Sequence, residues 1–454
     1  MAIRHDRIWL YLSRKDLQTE RRQLIEEGRD VSSIEKDFEK LLNLDLDHDP
    51  NLLPAAQAIY TKIDKLPMVS GYPYDEPSDL STIKKKRPDG PRCLENNLND
   101  ELMYDKLLGA WQGRVAGCLL GKPVEGWRTD KLWPFLKDTN QFPLSYYMTA
   151  DVSQDIKDKY ELNSSYLSFI NFIDSMPPDD DTNYTVLGMK LIRERGFDFT
   201  PEDVSDIWLS HLPLASVCTA ERVAYRNFLN MIEPPYSAMY MNPYREWIGA
   251  QIRADFFGYV NFGNPEKAAE FAFRDACISH VKNGIYGEMW VAAMLAAAPL
   301  AKNIKEVIET GLSEIPQKSR LAESINLVFR WRESGLSYDE AISELYTLWD
   351  EHKEHDWCHT ISNAMIVSIA LLWGETDFGK SVCYAVQPGF DTDCNGATVG
   401  SVLGMLIGAA KIPERWTQPF NDTLNTNINT MNVVKVTDMA NETLKLIKRR
   451  LAEK

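Results

Sequence analysis

At 454 residues, with 44% hydrophobic and 26% charged residues, the chain has the composition of a soluble globular protein with room for one large core or two to three domains. Its net charge of −16 disfavours a phosphate-backbone footprint, so nucleic-acid binding is not expected. Seven scattered cysteines without a CxxC pair argue against a disulfide framework or zinc ribbon, and for a reducing compartment.

In chain order, the first residues, Met-Ala-Ile-Arg-His-Asp, lack the basic-then-apolar pattern of a signal peptide. Residues 17–27 and 32–42 read as helices of mixed charge, the second opened by Ser32, Ser33 and Glu35. Residues 70–92 turn to Gly, Pro, Asp and Lys, including Gly71-Tyr72-Pro73 and Lys84-Lys85-Lys86, and predict a linker or an irregular strap. From about Leu98 onward the apolar residues recur at helical spacing through ten or more segments, with few alternating runs. The expectation is an all-α protein: an N-terminal helical extension and linker over 1–95, then a helical catalytic domain over 96–454. The most apolar runs, 289–301 and 364–373, fall short of a membrane span. A cytoplasmic protein without a membrane partner is predicted, its oligomeric state left open.

Two helices share a pattern. Gly109, Gly113, Gly117 and Gly121 recur every fourth residue, as do Gly396, Gly400, Gly404 and Gly408. Glycine inside a helix costs about 1 kcal/mol relative to alanine, so four in register need a packing reason. Each stripe lies on one helix face. Either each packs on an unrelated element, or both belong to one tight layer, which would bring Glu125 towards Asp391 and Asp393.

Two short acidic clusters open predicted helices: Asp179-Asp180-Asp181-Thr182 after Pro177-Pro178, and Asp391-Thr392-Asp393-Cys394. One aspartate in each is explained by N-capping and the helix dipole. Five carboxylates brought together resist joint ionisation, and hard divalent cations with a preference for oxygen are the natural compensation. Elsewhere, His352, His355 and His359 gather with Asp356 and Cys358. His355 and His359 are four residues apart, a spacing able to chelate zinc, but no other His or Cys group completes such a site. Lining a substrate pocket, with Asn363 one turn on, and ordinary packing are the other readings. No nucleophile elbow, Walker loop or dinucleotide fingerprint is present.

Three stretches together resemble the ADP-ribosylglycohydrolase family. Gly117-Cys118-Leu119-Leu120-Gly121-Lys122-Pro123-Val124-Glu125 is similar to its Gly-Asp-x-x-Gly-x-Pro-x-Glu signature. Asp179-Asp180-Asp181-Thr182 resembles its Thr/Ser-Asp-Asp-Thr motif, and Gly389-Phe390-Asp391-Thr392-Asp393-Cys394 its Gly-Gly-Asp-Thr-Asp-Thr motif. The resemblance implies an all-α fold holding two Mg²⁺ or Mn²⁺ ions on Asp179, Asp180, Asp181, Asp391 and Asp393. It implies hydrolysis at the anomeric carbon of an ADP-ribosyl or other ribosyl substrate, with Glu125, Asp180 and Asp391 as catalytic carboxylates. His280 and Gly284 fall where the family has a ligand-side loop, so with His359 and Asn363 they are the expected substrate contacts. Three positions depart from the pattern: Cys118 for Asp, Asp179 for Thr or Ser, and Cys394 for Thr. These departures suggest a divergent branch, with an N-glycosidase for another ribosylated small molecule, or a non-catalytic ADP-ribose-binding or structural descendant, as alternatives.

Overall fold

In the computed structural model, which describes residues 8–162 and 168–452, the chain is built almost wholly of helices. The described strands are two of three residues each, β1 (Thr423–Asn425) and β2 (Val433–Lys435), paired antiparallel with Leu424 opposite Val434. The all-α expectation holds.

The first helix, α1 (Arg14–Glu26), starts in a capping box in which Ser13 and Asp16 satisfy each other's backbone and side chain. It belongs to a small apolar cluster running from Leu12 to Leu66, to which Met241 alone is added from the rest of the described chain. The turn-rich stretch that follows is a pinned strap. Asp75 N–H donates to the Lys318 carbonyl, Glu76 accepts from Arg320 and Asn283, and Arg87 and Arg92 both pair with buried Glu314.

Several of the described helices are buried on every face for much of their length, among them α2 (Asp100–Gly121), the site helix α3 (Asp180–Arg195) and α4 (Asn283–Ala297). Beyond the short α5 (Glu354–Trp357) come α6 (Thr360–Gly374) and α7 (Thr392–Ile407), buried in the same way. A helix apolar all round belongs in a core, and the two most apolar runs of the sequence are found in α4 and α6. Among the described residues no helix is long and apolar enough to cross a membrane.

Helices α2 and α7 form the central layer and run antiparallel, glycine against glycine. A β-carbon on Gly113 would lie 2.0 Å from the Gly400 oxygen, and one on Gly404 would lie 1.9 Å from the Gly109 oxygen. Backbones this close exclude any side chain from the seam. The two stripes therefore share one layer, and the C-terminus of α2 is delivered to the N-terminus of α7.

Candidate metal centre and cavity

The seam sets the register of the site. At its end a β-carbon on Gly121 would fall 2.4 Å from Asp393 N, and Thr392 Oγ1 donates to the Gly121 carbonyl at 2.9 Å. Just before α7 the chain turns sharply through Gly389 and Phe390, both with positive φ. Phe390 is a bulky residue in the left-handed region, a strain that persists because its ring is fully buried. That turn presents Asp391 and Asp393 to the same space as the start of α3.

Asp179 caps α3, its Oδ1 accepting from Asp181 N at 2.9 Å, while its Oδ2 accepts from Lys122 Nζ at 2.6 Å. Arg114, buried within α2, donates to Asp181 Oδ1 at 3.0 Å and to the Asp181 carbonyl at 2.9 Å. It also pairs with Asp255 at 2.9 Å, so one guanidinium locks α3 onto α2. Ligand atoms of Cys118, Asp179, Asp181 and Asp393 all lie within 4.8 Å of one another, as do those of Asp391, Asp393 and Cys394. The two acidic clusters thus meet. Asp181 Oδ2 and Asp393 Oδ1 are buried without a hydrogen-bond partner, an arrangement that native proteins avoid unless something else satisfies the oxygen.

Electrostatics say the same. Burial raises the carboxyl of Asp393 well above the usual range, and Glu125, Asp179 and Asp391 raise it further. Asp180 and Asp181 are raised chiefly by burial, and Asp391 likewise. Asp179 is the exception: burial pushes it up, but Lys122 outweighs this and holds it low. Desolvation by the surrounding protein, then Asp179 and Asp391, push the Glu125 carboxyl up to about 7 against the opposing pull of Lys122. Lys122 and Arg114 cannot offset six carboxylates, so the donor set fits divalent cations.

The departures at 118 and 394 are thiols whose ionisation burial strongly opposes. As neutral groups they add no charge; nearby, Cys358 Sγ donates to Asp391 Oδ2 at 3.6 Å in the same manner. The extra carboxylate at 179 is met by Lys122.

Beside the carboxylates lies a cavity of about 260 Å³. Glu125, Asp180 and Asp391 form its acidic side beside the neutral thiol of Cys394, and Trp9, Lys15, Arg128 and Trp357 stand elsewhere on its wall. Asp180, half-buried, faces this space rather than the tightest oxygen cluster.

The other expected contacts are placed differently, and none belongs to the described cavity wall. His280 is fully buried, its Nδ1 bonded to Ser279 Oγ at 2.8 Å. Gly284 is a close-packing position, since a β-carbon there would meet the Arg245 carbonyl at 2.7 Å. His359 caps α6 by accepting from Ile361 N. Asn363 sits one layer behind the carboxylates: its Oδ1 accepts from Asp391 N at 3.2 Å and Asn395 Nδ2 at 2.8 Å, fixing the turn into α7. These are supporting positions.

Sequence reasoning passed over Lys122, Arg114 and the two residues of the extension, Trp9 and Lys15. Arg114 had a signal, a cation flanked by small and apolar residues in the C-terminal half of α2. Trp9 and Lys15 had none.

The family model described as ADP-ribosylglycohydrolase matches residues 99–451. Among solved structures, one described as an "ADP-ribosylglycohydrolase-related protein complex" is 20% identical, with a TM-score of 0.44 over 77% of this chain and 99% of that one. No curated protein sequence matches the chain.

Proposed function

The chain belongs to the ADP-ribosylglycohydrolase family, and on that premise we propose that it is a divalent-cation-dependent glycosidase acting at the anomeric carbon of an ADP-ribosyl substrate. The observation that carries this reading is the meeting of both aspartate clusters beside one cavity with Asp181 Oδ2 and Asp393 Oδ1 unpartnered.

Asp181, Asp391 and Asp393 would hold two Mg²⁺ or Mn²⁺ ions, with Asp180 reaching in from the cavity side and Asp179 retained by Lys122 as the edge of the set. When bound, the cations supply positive charge that orients ribose hydroxyls and acidifies water. The chain's own groups do the rest. Glu125 stands on the cavity wall beside Asp391, a carboxylate placed to take a proton from the attacking water. Asp180 faces the cavity as a carboxylate able to stabilise the positive charge that develops on an oxocarbenium-like ribose. Asn363 keeps Asp391 in place through its backbone.

Hydrolysis of ADP-ribosyl-arginine and ADP-ribosyl-serine in Mn²⁺, by the wild type and by Asp391→Asn with Asp393→Asn, tests the reading. Loss of both metal content and turnover is expected. Unchanged metal content and turnover in the double variant would overturn it.

A further inference from the structure

The cavity wall is not made by the family-matched span alone. Trp9 and Lys15 lie on it, and both precede residue 99, where the family match begins. Their placement is enforced. Leu12 is buried in the extension's own core, the Ser13–Asp16 capping box fixes the entry to α1, and buried Asp16 accepts from Tyr244 of the main body. Lys15 forms an ion pair with Glu354, the first residue of α5, the helix that also carries Trp357 to the wall.

Trp9 stands out within this segment. Its φ is +64°, a backbone region that a bulky side chain enters only when its surroundings compel it. Such strain gathers at ligand sites. The compulsion here is visible: the Arg222 guanidinium sits 4.7 Å from the centre of the indole, and the ring packs against the main core while contributing to the cavity. A cation on an aromatic face fixes the ring's orientation. Across the same wall, Arg128 covers Trp357 at 4.5 Å in the same way. The cavity is thus acidic at Glu125, Asp180 and Asp391, and where the extension closes it the wall carries Trp9 and Trp357 with Arg128 and the Lys15–Glu354 ion pair.

We propose that Trp9 is a substrate-selecting residue, a stacking platform for a planar heteroaromatic ring carried by the substrate at the end remote from the ribose that meets the carboxylates. The proposal rests on the ribosyl-hydrolase reading above and adds to it a residue that selects for the base, supplied by a segment outside the family-matched domain.

Trp9→Gly is the informative variant, because it removes the ring while relieving the left-handed strain. Loss of the contacts with the core and Arg222 offsets that relief, so the thermal midpoint is measured beside the wild type, and a chain still folded at the titration temperature separates lost stacking from lost folding. Calorimetric titration of the full chain in Mn²⁺, with ADP-ribose and with ribose 5-phosphate, gives the test. Stacking of a base on an aromatic side chain predicts about a tenfold weaker Kd for ADP-ribose in Trp9→Gly. It also predicts recovery to within about threefold in Trp9→Phe, and an unchanged Kd for ribose 5-phosphate in both variants. Wild-type affinity for ADP-ribose in Trp9→Gly, or an equal loss for both probes, overturns the role of Trp9. A wild type that binds neither probe overturns the ribosyl reading itself, and the proposal with it.

Discussion

The main-chain oxygen of Gly396 lies 1.9 Å from the point that a β-carbon on Gly117 would occupy, and the reverse distance, from Gly396 to the Gly117 oxygen, is 2.3 Å. No side chain fits between these two residues, so α2 and α7 are locked in one register by their backbones. Gly117→Ala or Gly396→Ala must therefore part the helices. Alanine gains up to about 1 kcal/mol of helix propensity, but overpacking a rigid seam costs roughly 1–3 kcal/mol or more. Net destabilisation is expected, read as a lower urea midpoint. Because Asp391, Asp393 and Glu125 hang on this register, Mn²⁺ affinity should fall in the same variants.

A second prediction concerns the two orphaned oxygens. Asp393→Asn removes one charge and replaces an anionic donor with a neutral amide in a site where charge is already in excess. Calorimetry should show Mn²⁺ affinity reduced by at least ~10-fold. Lys122→Met acts differently. It frees Asp179 of its partner and leaves the cluster more negative, so the metal-free protein should be destabilised while added Mn²⁺ restores more of its thermal midpoint than in the wild type. If Lys122→Met shows the same Mn²⁺ response as the wild type, Lys122 is not a counter-charge for this cluster.

The pH dependence of the metal-free protein follows from the sign of the shifts. Asp181 and Asp393 are buried and raised, and Glu125 is raised to about 7. A carboxyl whose folded pKa exceeds its unfolded value of about 4 contributes stability that is complete below that value and lost as pH rises through the folded pKa. The thermal midpoint should therefore decline between about pH 4 and 7 without cations. Added Mn²⁺, binding the ionised form, should raise the midpoint more at pH 8 than at pH 5. A midpoint that rises steadily over this range would contradict the assigned shifts.

What could be read from the sequence follows from how locally each feature is encoded. The glycine stripes are periodic and the aspartate clusters compact, and each has few physical explanations, so the seam and the acidic centre were visible in one dimension. His280 and His359 look alike in sequence but are set by their surroundings, one bonded to Ser279 and the other capping α6. Nothing near either residue foretells that burial. Lys122 lay inside a recognised motif, yet its role depends on Asp179, 57 residues away. Trp9 and Lys15 reach the cavity only through the docking of α1, a long-range event that no local pattern announces. The stretch 70–92 read as a linker because its composition is turn-rich; its pairing with Glu314, Lys318 and Arg320 makes it a strap.

The docking of α1 supplies the last prediction, because it settles the histidine pair chemically. Glu26 of α1 joins His355 and His359, giving three groups with ligand atoms within 4.8 Å, which on spacing alone resembles a zinc site. The outer nitrogens argue otherwise. His355 Nδ1 accepts from the Trp247 indole N–H at 3.1 Å, and His359 Nδ1 accepts from Ile361 N–H at 3.1 Å. A ring whose Nδ1 accepts carries its proton on Nε2, the very nitrogen that faces Glu26 in both residues. A metal there would need those protons gone, whereas the carboxylate needs them present. Burial pushes the Glu26 carboxyl up, but the hydrogen bonds donated by His355 and Arg22 outweigh it and hold the group below its usual range. Its contribution is therefore present above the unfolded carboxylate value and lost on acidification, opposite in sign to the aspartate centre. Glu26→Ala should cost about 1–3 kcal/mol of stability at pH 7 and expose residues 8–66 to proteolysis. His359→Ala should leave zinc affinity unchanged; a drop in zinc affinity would restore the metal reading of this pair.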